Sequence, residues 1–83
     1  MKKGNLPSNP AHALEQLRLW AQFEEAMDSF TKMFLVSELL WLVWAFGTST
    51  PYKKKQKLVP IVISNLKNRT PFTDEALKKK LFL

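Results

Sequence analysis

The sequence predicts an all-α protein: one long N-terminal helix, from about residue 10 to residue 46, and two short basic C-terminal helices. The stretch from Ala11 to Phe46 contains neither proline nor glycine. Large apolar residues recur along it every three or four positions, which is the period of one helical face. Residues that interrupt helices gather instead at positions 47–51 and 68–71. We therefore divide the chain into a flexible segment 1–9, the long helix 10–47 and a basic helical tail 48–83.

The long helix is expected to be amphipathic in its first half and apolar on all sides in its second. Asn9 and Pro10 are typical of a helix start, and Gly47 of a helix end. The residues expected to form a partner interface lie along its apolar face, with Glu38 among them: Trp20, Phe23, Met27, Phe30, Phe34, Glu38, Trp41 and Trp44.

The length of this helix is itself informative. A helix over residues 10–46 would be about 55 Å long, whereas a globule of this size is only about 25 Å across. The helix must therefore break, with residues 29–31 as the expected place, or project into a larger assembly.

The tail is expected to hold a helix from Pro51, capped by Thr50, to about Lys67, kinked where Pro60 interrupts it. The β-branched residues 58–63 also suit a strand, and this alternative stays open. The last helix is predicted over residues 74–81, with Thr73 as its cap.

Three interpretations of the apolar segment 33–47 are open. In the first, the segment and its continuation to Tyr52 cross a membrane, with the lysine run 53–57 following at once. In the second, the segment is buried in a soluble complex, since apolar runs of this length are more often core helices. In the third, the tail covers it within a monomeric globule. We expect the first, because so short a chain buries only about 60–65 % of its unfolded surface.

Glu38 is the carboxylate within this apolar segment. Phe34, Leu35, Trp41 and Leu42 are its helical neighbours, so its charge needs a partner, hydrogen bonds or a proton. We expect a structural pairing. A contact to a basic group of a partner subunit, or a role in handling protons, is the functional alternative.

Charge is distributed unevenly along the chain. Residues 1–37 carry four basic and four acidic side chains, whereas residues 48–83 carry nine Lys or Arg against two acids, a net charge of +7. Such a basic half indicates phosphate-bearing partners, either anionic lipid or nucleic acid. A helix–turn–helix over residues 53–83 would suit DNA. The lysines expected to contact phosphates or headgroups are Lys53, Lys54, Lys55, Lys57, Lys78, Lys79 and Lys80.

Residue types argue against catalysis. The chain has no cysteine, a single histidine (His12) and two glycines, so neither a thiol nucleophile nor a glycine-rich phosphate loop can be built. The acids Glu24, Glu25 and Asp28 are expected to form a solvated face. We therefore predict no catalytic residue, no cofactor, no metal site and no small-molecule substrate.

These observations predict a small non-catalytic accessory subunit that docks by its apolar helix into a larger, membrane-embedded protein complex. The expected location is membrane-associated. No cleavable secretory signal is expected, because residues 4–10 offer no apolar run. One alternative is a soluble basic protein that contacts nucleic acid or sits in a nucleoprotein complex. Another is a small soluble inhibitor of a protein target.

Overall fold

The computed structural model describes residues 1–82. Within that range the chain is helical throughout, without strands, and packs around one core. The helices are α1 (Pro10–Trp20), α2 (Ala26–Met33), α3 (Val36–Ala45), α4 (Lys55–Lys67) and α5 (Asp74–Leu77), with a 3-10 turn at Lys3–Asn5. The predicted all-α class is confirmed, but the single helix over residues 10–46 is wrong. Leu83, the end of the predicted tail, lies outside the described residues.

The first break in the predicted long helix lies between α1 and α2 and involves neither proline nor glycine. The backbone hydrogen bonds there join residues three apart, as in a 3-10 helix, where an α-helix joins residues four apart. The Phe23 amide donates to the Trp20 carbonyl at 3.1 Å, and the Ala26 amide donates to the Phe23 carbonyl at 3.1 Å. Trp20 before the break and Phe30 after it are buried in the same core. A straight helix over residues 10–46 would be about 55 Å long and would not fit a globule of 29 × 28 × 23 Å. The bend lets the chain bury both side chains in one core.

The second break separates α2 from α3. Phe34 and Leu35 are extended, and this conformation accompanies burial of the Phe34 ring edge-on against Phe30, with 5.4 Å between ring centroids. The Glu38 carboxylate accepts the Leu35 amide at 2.8 Å, which satisfies one of the unpaired amides at the start of α3. The break predicted at residues 29–31 falls inside α2 and is wrong.

Helix α3, the most apolar element, is covered by the chain itself. Leu39, Leu42 and Val43 are buried, chiefly beneath α4, with α5 packed against the same helix. Gly47, at φ 83°, ends the helix as predicted, since a left-handed residue lets the last carbonyls be satisfied. The structure therefore follows the third interpretation of the apolar segment, a globule that folds around it.

The basic tail is helical, but its elements are shorter than predicted. Helix α4 begins at Lys55 and keeps Pro60 inside it, which answers the open question about residues 58–63 in favour of helix. Helix α5 ends at Leu77, so Lys78–Lys80 follow it and do not form its last turn. The Thr73 hydroxyl caps α5 by accepting the Ala76 amide at 3.2 Å, as predicted.

Residues 1–9, expected to be loose, make specific contacts. Leu6 packs against the core, and the Ser8 carbonyl accepts the Leu81 amide at 3.2 Å. Both ends of the described chain are thus held together on one side of the globule.

No helix within residues 1–82 combines the length and the hydropathy that a bilayer crossing requires. The membrane span predicted over residues 33–52 is therefore wrong, and the membrane-associated location that depended on it loses its basis.

Candidate functional site

Four of the eight predicted interface residues pack in the chain's own core or against it. Trp20, Phe30 and Phe34 are buried, and Trp41 is partly buried in a cluster of aromatic rings around α3 and α5. These side chains already have partners within the chain. Their helical spacing signalled burial correctly, but it did not tell whether the covering surface belongs to the same molecule.

Glu38 also finds its partner within the chain. Lys3 Nζ donates to both carboxylate oxygens, at 2.9 and 3.0 Å, and the Glu38 side chain is only 13 % exposed. Together with the bond from the Leu35 amide, this pair anchors the N-terminal segment on the start of α3. The contacts agree with the expected structural pairing of Glu38.

Three large apolar side chains remain exposed at the bend between α1 and α2: Leu19, Phe23 and Met27 are 52, 45 and 46 % exposed. We call these three residues the apolar corner. They fall within nine consecutive residues whose backbone continues to turn, so they lie within about 12–16 Å of one another at a helical rise of 1.5–2 Å per residue. Phe23 and Met27 are among the predicted interface residues. Leu19, which directly precedes Trp20, is not.

Acidic side chains stand next to those of the corner in the sequence. Glu24 and Glu25 are exposed between α1 and α2 and make no ion pair within residues 1–82. Asp28 pairs with Lys32 at 3.0 Å. The exposed position of these acids fits the predicted solvated face, and it gives the apolar corner a negative rim.

The predicted phosphate-contacting lysines differ in their surroundings within the chain. Lys55 donates to the Thr31 carbonyl at 3.0 Å, which places the start of α4 beside the end of α2. Lys79 Nζ lies 5.0 Å from the centre of the Trp44 ring near the end of α3. The other predicted contacts are exposed: Lys53, Lys54, Lys57, Lys78 and Lys80.

The proposed helix–turn–helix is not formed as a DNA-reading module. Its second helix, α5, has four residues, about one turn, which is too short to lie along a groove. The three lysines expected on that helix come after its end. Contact with phosphates through these lysines remains a prediction.

Several small depressions mark the surface of residues 1–82. Cavities of about 420 and 460 Å³ are lined, respectively, by residues of the N-terminal segment with α2 and by the end of α3 with the start of α5. His12 lies exposed on α1. Its imidazole forms no hydrogen bond or ion pair with another side chain within residues 1–82. No group of three or more metal-binding side chains occurs in residues 1–82.

No protein-family model, curated protein or solved structure matches the chain.

Proposed function

We propose that this chain is a small non-catalytic accessory protein that docks onto another protein through the apolar corner. The observation that supports this is the joint exposure of Leu19, Phe23 and Met27 at the bend, in a chain that buries Trp20, Phe30 and Phe34 close by in the sequence. At roughly half exposure each, these side chains present on the order of 300 Å² of apolar surface, the size of the largest patch on a typical monomer and often a functional one.

The rim of the corner favours a partner of a particular kind. A second copy docked symmetrically would bring Glu24 and Glu25 against their own equivalents, and like charges in an interface cost affinity. A partner with an apolar groove bordered by Lys or Arg would instead meet both the ring of Phe23 and the acids around it. We therefore assign the corner to a different protein with a basic rim.

Area gives the scale of the interaction. Burying about 300 Å² of apolar surface contributes about 7.5 kcal/mol at 25 cal/mol/Å², which is comparable to the cost of association. The corner therefore needs its charged rim for useful affinity. A buried aromatic anchor is worth about 2 kcal/mol or more in such interfaces, so loss of the Phe23 ring should weaken binding about 30-fold.

A photo-crosslinking amino acid at position 23 tests the proposal, with the same reagent at exposed Gln56 as the control. A protein that crosslinks from position 23 alone is then purified, and its affinity is measured for the wild type, for Phe23→Ser with Met27→Ser, and for Leu77→Ser. Leu77 is an exposed apolar residue outside the corner. We expect the double variant to lose at least 30-fold and Leu77→Ser to bind normally. Equal binding by all three proteins would refute docking through the corner.

A further inference from the structure

The longest acid-free stretch of the chain contains a second surface of different character. No Asp or Glu occurs between Glu38 and Asp74. Within that stretch α3 ends, and an irregular loop leads to α4. Trp44 stands at one end of the loop and Tyr52 near the other, and both rings are exposed.

Each of these exposed rings has a lysine over it. Lys79 Nζ lies 5.0 Å from the centroid of the Trp44 ring, and Lys57 Nζ lies 5.8 Å from the centroid of the Tyr52 ring. Lys53 and Lys54 follow Tyr52 directly, are exposed and make no ion pair within residues 1–82. We use the name aromatic–lysine surface for these six residues: Trp44, Tyr52, Lys53, Lys54, Lys57 and Lys79.

Flat rings with cations beside them match the chemistry of a nucleic-acid strand. Bases stack on aromatic rings whatever their sequence, while lysines neutralise the neighbouring phosphates. Hydroxyls such as those of the exposed Thr48 and Ser49, in the loop between the two rings, commonly donate to phosphates as well. We propose that the aromatic–lysine surface binds single-stranded nucleic acid, independently of the apolar corner.

A single strand suits this surface better than a duplex does. The bases of a duplex are stacked on one another and offer no free face to a protein ring, and α5 is too short to enter a groove. The strand can displace the lysines from the rings, because an exposed cation–ring contact is worth about 2- to 5-fold in equilibrium and a stacked base about 5- to 150-fold. The displaced ammonium groups then face phosphates.

A nearby acid determines where along this surface the phosphates should lie. Glu75 lines the hollow of about 460 Å³ that Trp44 shares with the loop, which disfavours a phosphate inside that hollow. The phosphates should therefore gather at the Tyr52 end, where Lys53, Lys54 and Lys57 are concentrated, while Trp44 contributes stacking.

Fluorescence anisotropy with a labelled oligodeoxythymidine dodecamer and its uridine counterpart tests the proposal. Four variants are compared with the wild type. Tyr52→Leu removes the ring, and Phe23→Leu removes an exposed ring outside the surface as its control. The triple change of Lys53, Lys54 and Lys57 to Gln has a control that also removes three charges, at Lys2, Lys32 and Lys67.

We expect Tyr52→Leu to weaken binding at least 5-fold and Phe23→Leu to leave it unchanged. Replacing Lys53, Lys54 and Lys57 by Gln should also make the slope of log affinity against log salt less steep by about 2. Each phosphate that the protein no longer neutralises accounts for roughly 0.7 of this change. The charge control should flatten it much less.

The proposal would be overturned if neither dodecamer bound the wild-type protein at low salt. So would equal losses in both triple variants, which would indicate a diffuse effect of net charge. A third contradicting result would be binding to phosphatidylserine vesicles that the dodecamer cannot compete away, because the lysines would then serve a lipid surface. None of these results bears on the apolar corner, which contributes no residue to this surface.

Discussion

Truncating Leu42 on α3 probes whether this helix belongs to the core of its own chain. Leu42 is 0 % exposed and lies on the helix packed most extensively by α4. Removing three buried carbon atoms at such a position costs about 3–5 kcal/mol when the site cannot collapse. A domain of this length has a free energy of unfolding of only about 4–12 kcal/mol. Leu42→Ala should therefore remove a large fraction of the total stability.

Urea unfolding, followed by tryptophan fluorescence and by circular dichroism, measures this loss. A destabilisation of 3 kcal/mol should also lower the melting temperature by roughly 12–24 °C, at 4–8 °C per kcal/mol for a domain of this size. Leu35→Ala is the matched control, because Leu35 lies just before the same helix and is 58 % exposed. Its change should stay within about 0.5 kcal/mol.

If Leu42→Ala unfolded at the same urea concentration as the wild type, α3 would not be packed as described. Equal losses in the two variants would contradict the reasoning as well, since burial would then not determine the cost.

Two further substitutions probe the helix ends. Glu38→Ala should cost about 1–2 kcal/mol, because it removes the bonds to Lys3 and to the Leu35 amide, whereas Glu38→Gln, which can still accept the amide, should cost about 0.2–1 kcal/mol and less as salt is added; equal losses would contradict the capping role. Gly47→Ala should cost about 1–2 kcal/mol in the same urea assay, because its φ is positive and the added methyl would meet Thr73 at 3.2 Å. Gly4→Ala, which meets nothing within 4 Å, should cost almost nothing.

Local signals in the sequence predicted several element ends correctly. Asn9 accepts the amides of Ala11 and His12, Gly47 ends α3, and Thr73 caps α5. These residues act through their own backbone geometry and short-range bonds, so they operate in much the same way in any surrounding fold. For this reason they can be recognised without knowledge of the tertiary structure.

The two breaks in the long helix could not be predicted in the same way. The bend at residues 21–25 follows from the joint burial of Trp20 and Phe30, which depends on tertiary packing and has no local marker. The second break did carry a signal: Glu38 stands three residues after Leu35, the spacing at which a carboxylate reaches back to the first amide of a helix.

The same distinction explains the candidate sites. Helical periodicity identified residues that need to be buried, but it could not tell that α4 and α5 would cover α3. The apolar corner was only partly foreseen, because exposure at a bend depends on where the bend falls. The pairing of lysines with the Trp44 and Tyr52 rings joins residues up to 35 positions apart, a separation that no local pattern reports.

Hydrogen exchange of the α3 amides in the isolated chain, in dilute buffer without detergent or partner, tests most directly whether this helix is covered by its own molecule. We predict that the amides of Leu39 to Ala45 exchange only through global unfolding, and far more slowly than those of the loop at residues 48–53. Exchange of both segments at the same rate would contradict this prediction, because α3 would then need an outside partner to be buried.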